Sequence, residues 1–222
     1  MINVTCSCRR AVNLLLWTVL LVLPCVSLSA QDAAEITDRA TAVYENGKGV
    51  SVAFALQVRA GVQQAAESFE GVIQMKGDKF MLVIPGTRVW YDGKTQWTYM
   101  ERNREVNLTE PTGEELQYTN PALLLRMYKK GYTASLKGES TAANGKTAYD
   151  VELTPKKKGD IVKMILQIEK YSFLPARISV ESKNGGLTTV QIKSFTAGLH
   201  QPDSFFVFDG KQFPDAEVID LR

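Results

Sequence analysis

From Val50 to Phe195 the chain alternates apolar and polar residues in short runs broken by turn residues, the period-2 signature of half-buried β-strands. Val50, Val52, Phe54, Leu56 and Val58 alternate with Ser51, Ala53, Ala55, Gln57 and Arg59. Phe69, Gly71, Ile73 and Met75 alternate with Glu70, Val72, Gln74 and Lys76, and Gly77-Asp78 then turns the chain into a strand over 79–84. Pro85-Gly86 turns again into 89–91, and Asp92-Gly93 leads to a pair over 94–100 and 105–108. Asp-Gly between alternating runs is a strong hairpin signal, since both central positions of the favoured turn have φ > 0. Further on, 132–136 and 147–153 flank Asn144-Gly145. Val162, Met164, Leu166 and Ile168 share one strand face, and Leu174, Ala176, Ile178 and Val180 share the next. Asn184-Gly185-Gly186 leads into 187–195, and Phe205, Phe206, Phe208 and Phe213 crowd the end. About ten strands joined by tight turns predict an antiparallel meander. The fold class is α+β, mostly antiparallel β: one sheet, highly curved or nearly closed, with helices applied to one side.

Three stretches break the alternation. Ile36, Ala40, Val43 and Tyr44 recur at helical spacing, and Gly47 closes that helix. Thr112 and Glu115, just after Pro111, form a capping box, predicting a short helix over 112–117. Asn120-Pro121 then supplies an N-cap and a proline at the first helical position, and this second helix ends by Gly131. Its body, residues 122–128, is apolar on most sides. Such a helix is either core or a cover over an apolar cavity, and periodicity alone favours core.

Residues 1–30 read as a secretory signal: Arg9 and Arg10, an apolar run over 12–23, then small residues to Ala30. The remainder, 31–222, is long enough for one domain with a sizeable core. Cys25 leaves lipidation open as a second route, but Pro24 precedes it where Gly or Ala is usual, so cleavage after Ala30 is preferred. Cys6, Cys8 and Cys25 all lie within the signal, which leaves the mature chain without thiols. The 26 basic residues lose Arg9 and Arg10 on cleavage and then equal the 24 acidic ones. A near-neutral chain argues against nucleic acid as a partner.

Catalytic signatures are missing from the sequence. His200 is the single histidine, beside Leu199 and Pro202 in an expected loop. There is no nucleophile elbow, phosphate loop, or His/Cys set for a transition metal. Glu114-Glu115 is an adjacent pair whose side chains diverge on a helix, and Asn107-Leu108-Thr109 is a chance-level glycosylation sequon. The charged run 156–160 reads as a solvated hairpin tip. Trp90, Tyr91, Trp97 and Tyr99 are either ordinary cross-strand pairs or a stacking face for sugars, the former being commoner. No enzyme and no cofactor is expected.

The stretch Asp92-Gly93-Lys94-Thr95-Gln96-Trp97-Thr98-Tyr99, followed by Asn120-Pro121-Ala122-Leu123-Leu124-Leu125, resembles the LolA family of periplasmic lipoprotein carriers of Gram-negative bacteria. The flanks agree, from the signal and first helix through Lys76-Gly77-Asp78-Lys79-Phe80 to Phe206-Val207-Phe208. The resemblance implies an unclosed β-barrel, or half-barrel, with a helical lid over an apolar cavity that takes lipoprotein acyl chains. The lid helices would be 36–44, 112–117 and 121–129. Implied cavity residues are Val52, Phe54, Leu56, Ile73, Phe80, Leu82 and Trp97 from the sheet, with Leu123, Leu124, Met127 and Tyr128 from the lid. Family members carry a lid-latching arginine near Gly77-Asp78; Lys76 stands beside that position here, which leaves Arg88 or Arg126 as the substitute. Implied partners are lipoproteins, an inner-membrane releasing complex and an outer-membrane receptor, with the carrier a periplasmic monomer. The alternative is an outer-membrane-anchored receptor of the related LolB type, or a lipid- or glycan-binding sensor of the same fold.

Overall fold

The computed structural model describes residues 27–46, 48–112, 116 and 131–222. Among the described residues, helix α1 (Ser27–Glu45) is followed by twelve strands that form one sheet. The strands are β1 (Val50–Arg59), β2 (Glu67–Lys76), β3 (Lys79–Ile84), β4 (Thr87–Tyr91), β5 (Gln96–Met100) and β6 (Glu105–Thr109). They continue with β7 (Tyr132–Thr141), β8 (Thr147–Pro155), β9 (Ile161–Glu169), β10 (Pro175–Ser182), β11 (Leu187–Ala197) and β12 (Glu217–Asp220). The order across the sheet is β12-β6-β5-β4-β3-β2-β1-β11-β10-β9-β8-β7. β1 therefore sits at the centre, pairing with β2 on one side and closing against β11 on the other. The sheet ends at β12 and β7, which do not pair with each other, so it is open.

Tight turns account for the meander. Gly77 and Gly86 adopt φ of 60° and 73° in the β2–β3 and β3–β4 turns, a region where a Cβ is penalised. The Asp92-Gly93 turn differs from expectation, because only Gly93 has positive φ. Instead the Asp92 carboxylate accepts the backbone N–H groups of Lys94 and Thr95 at 2.9 and 2.8 Å, closing a longer loop. β5 accordingly begins at Gln96 rather than Lys94.

Strand count and helix length also depart from the reading of the sequence. The last strand, β12, pairs in parallel with β6, a long-range pairing that local alternation cannot reveal. Among the described residues α1 is already helical at Ser27, nine residues ahead of Ile36, and it spans the expected cleavage point after Ala30. Of the other two expected helices, Leu116 donates its N–H to the Thr112 carbonyl at 3.1 Å, a helical i−4 bond; 113–115 and 117–130 lie outside the described residues. Gly47 lies outside them too. Among the described residues no helix is long and apolar enough to cross a membrane.

Candidate functional site

Residues directly paired across strands share a face, so register sorts the side chains. One row runs Val50, Met75, Phe80, Tyr91, Gln96 and Thr109; the next runs Val52, Ile73, Leu82, Val89, Thr98 and Asn107. On the other side of β1 the same face continues through Val190, Ile178, Leu166, Val151 and Leu136. α1 lies on the β7–β9 side of this face, where Ala33, Ile36 and Ala40 join these residues in a single apolar cluster. We call it the inner face. It turns polar at β5 and β6, where Gln96, Thr98, Asn107 and Thr109 replace the aliphatic residues.

Six of the expected sheet residues, Val52, Phe54, Leu56, Ile73, Phe80 and Leu82, lie together on the inner face. Phe80 and Ile73 are fully buried, and the Phe80 and Tyr91 ring centroids are 5.3 Å apart. Trp97 does not join them. It pairs with Trp90 and Leu108, one residue out of phase with Tyr91 and Gln96, and therefore points to the opposite, outer face. The reason is a second apolar patch: Trp90, Trp97, Tyr99, Val106 and Leu108 make the outer side of β4–β6 apolar as well. Leu123, Leu124, Met127 and Tyr128 lie outside the described residues, whereas Leu116 sits buried in the inner cluster.

The C-terminal segment covers the outer patch. Phe208 and Phe213 stack on one another at 5.4 Å, and both meet the Trp90 ring edge-on, at 5.5 and 5.6 Å. Tyr99 packs on Phe213 at 4.7 Å. Trp90 and Tyr99 are thus packed side chains, with Trp90 only 6% exposed, whereas Trp97 is half-buried. The segment is clasped to the β2–β3 hairpin by Asp203, whose two carboxylate oxygens accept from Lys76 Nζ at 2.9 Å and Lys79 Nζ at 2.7 Å. The lysine at the expected latch position therefore holds the C-terminal segment. Arg88 lies on the outer face, between Val83 and Tyr99 in register, which excludes it as a latch on the α1 side. Arg126 lies outside the described residues.

Sequence reasoning missed the contribution of the second half of the sheet to the inner face. Val151, Leu153, Met164, Leu166, Ile168 and Ile178 are at most 1% exposed there. Their alternation was visible, but only the register joins their face to that of β1. Between α1 and this half lies a gap of about 250 Å³, lined by Ile36, Leu136, Tyr149 and Phe173, with Asp32, Glu35 and Arg39 at its polar side. Arg39 bonds Glu35 one turn back at 2.6 Å and lies 4.9 Å above the Phe173 ring. Phe173 holds a φ of 56°, costly for a bulky side chain, at the β9–β10 turn that meets α1.

That turn is fixed by a buried carboxylate. Glu169 accepts from Asn144 at 2.7 Å, from Lys146 at 2.9 Å and from Ser172, joining the β7–β8 and β9–β10 turns. Burial alone would raise its pKa; the hydrogen bonds from Ser172, Lys146 and Asn144 outweigh it and hold the carboxyl below its ordinary range. The arrangement ties the two turns to each other. Among the described residues no His, Cys, Asp or Glu group is placed to hold a metal ion, and His200 lies in an exposed loop.

The family model described as outer membrane lipoprotein carrier protein LolA matches residues 23–185. Among curated proteins no sequence matches the chain. An uncharacterized conserved protein from Thermus thermophilus has a similar structure, with a TM-score of 0.58 at 15% identity over 86% of this chain and 99% of that one. A LolA superfamily protein from Nitrosomonas europaea aligns at 15% identity over 79% of this chain and 97% of its own, with a TM-score of 0.43. A putative outer membrane lipoprotein-sorting protein domain from Vibrio parahaemolyticus aligns at 11% identity over 80% and 97%, with a TM-score of 0.46.

Proposed function

Since this chain belongs to the LolA family of outer membrane lipoprotein carrier proteins, we propose that it binds lipoprotein acyl chains on its inner face and carries them across the periplasm, without covalent chemistry. The observation that supports this reading is the apolar inner face shared by β1–β4 and β7–β11; on its β7–β9 side α1 covers it and leaves a gap of about 250 Å³. The wall consists of Val52, Phe54, Leu56, Ile73, Phe80 and Leu82; Leu123, Leu124, Met127 and Tyr128 are proposed as its lid. Residues 1–30 are the proposed export signal and 31–222 the carrier domain.

The energetics favour exchange over simple filling. An acyl chain of roughly 14 methylenes, at ~0.8 kcal/mol each, would gain about 11 kcal/mol on burial from water. Most of the inner face is already buried by protein, so an entering chain displaces protein contacts. Its net gain is correspondingly smaller, and release stays accessible. Met75 on this face is unbranched and suits a wall that must repack.

Uptake of a fluorescent triacylated lipopeptide by the purified protein tests the reading. Leu56 is only partly buried at the margin of the face, so Leu56→Glu is expected to retain the wild-type fold. Uptake should fall at least tenfold in that variant. A folded wild-type protein that takes up no lipopeptide would sink the proposal.

A further inference from the structure

The outer face carries a cavity that the carrier reading leaves unused. It measures about 570 Å³, within the size range of small-ligand sites, and lies between the sheet and the C-terminal segment. Its apolar walls are Met81, Trp90, Phe205, Phe208 and Phe213, and Arg88 stands at its side. Register places Met81 and Trp90 opposite the inner-face residues, so this space is separate from the proposed acyl-chain face. The geometry points to a second binding site here, for a small amphipathic carboxylate: its aromatic or short aliphatic body among the rings, its anionic end on Arg88.

Charge decides between an anion and a cation. An aromatic enclosure by itself suits a cationic ligand. Here, however, a cation already occupies that role, because the Arg88 guanidinium lies 5.6 Å from the Phe213 ring centroid. The one carboxylate lining the cavity, Asp209, is engaged locally: it accepts from the Lys211 N–H at 3.1 Å and from the Gln212 amide at 3.3 Å. Arg88 is not matched in the same way. Its Nε is buried without a hydrogen-bond partner, and its nearest carboxylate, Glu101, is 3.8 Å away. A guanidinium with an unpartnered donor offers a carboxylate a charge-assisted, directional hydrogen bond, which an uncharged amide cannot match in strength.

The test is calorimetric titration of the purified full protein with 3-phenylpropionate, alongside 3-phenylpropanamide and phenyltrimethylammonium. The carboxylate should bind, with nuclear Overhauser contacts from its ring to the Trp90 indole. The amide should bind at least tenfold more weakly. Arg88→Gln should weaken the carboxylate at least tenfold, Arg88→Lys less, and Phe213→Ala should weaken carboxylate and amide alike. Arg88 is partly exposed, so these variants are expected to fold, which circular dichroism checks. No binding to the wild type, equal binding of acid and amide, tighter binding of the quaternary ammonium, or ring contacts to Phe80 instead of Trp90 would each overturn the assignment.

Discussion

Gly71 shows how closely the inner face is packed at the scale of a residue. A Cβ built there would lie 2.7 Å from Phe54 Cζ and 2.9 Å from the Val83 carbonyl oxygen, and backbone cannot swing aside. Gly71→Ala would ordinarily suit a strand, but here it is expected to cost about 1–3 kcal/mol through overpacking. Urea denaturation reads this directly. Phe80→Ala, which empties a fully buried ring position, should cost more, about 3–5 kcal/mol by the same measurement. Neither residue's environment is written locally. Both appear in the sequence only as positions in an alternating run, and the neighbours that confine them come from other strands. Trp97 makes the same point in reverse. Its strand also alternates, Trp97 and Tyr99 against Gln96 and Thr98, but the larger residues face outward. Alternation says that a strand has two faces; which one meets the main core depends on pairing.

At the scale of elements, the strands were legible because turn residues and period-2 patterns are local signals, and eleven of the twelve strands lie in stretches that carry them. The C-terminal segment was legible only as a cluster of phenylalanines. Its role comes from contacts made across more than a hundred residues of chain, with Lys76 and Lys79 on Asp203. Those contacts predict a pH dependence. Hydrogen bonds from Lys79 and Lys76 hold the Asp203 carboxyl down to about 2. A carboxyl depressed below its unfolded value of ~3.9 stabilises the fold above that value. The contribution fades as pH falls below about 4 and is gone below about 2. An acid titration followed by the fluorescence of Trp90, which touches Phe208 and Phe213, should show a transition that Asp203→Asn removes. β12 carries a different consequence. It covers the β6 edge in parallel register, so a chain ending at Ala216 should expose unpaired backbone groups and self-associate with concentration in sedimentation velocity.

At the scale of the molecule, one open sheet supports two apolar layers on opposite sides. The inner layer runs from β4 through β1 to β7, with α1 over its β7–β9 side, and the outer one lies on β3–β6 beneath the C-terminal segment. A chain with a single core would need only the first. The open sheet and its inner face followed from patterning together with the family resemblance, while the outer layer did not, because two faces of similar hydrophobicity look alike in sequence. The proposed function requires that the inner face hold acyl chains in the cell. Native mass spectrometry of the mature protein recovered gently from its own cell envelope tests this most directly. A bound lipoprotein or lipid mass is expected, and it should disappear in a Leu124→Glu variant which still folds. A clean apo mass, with no uptake of added triacylated peptide, would contradict it.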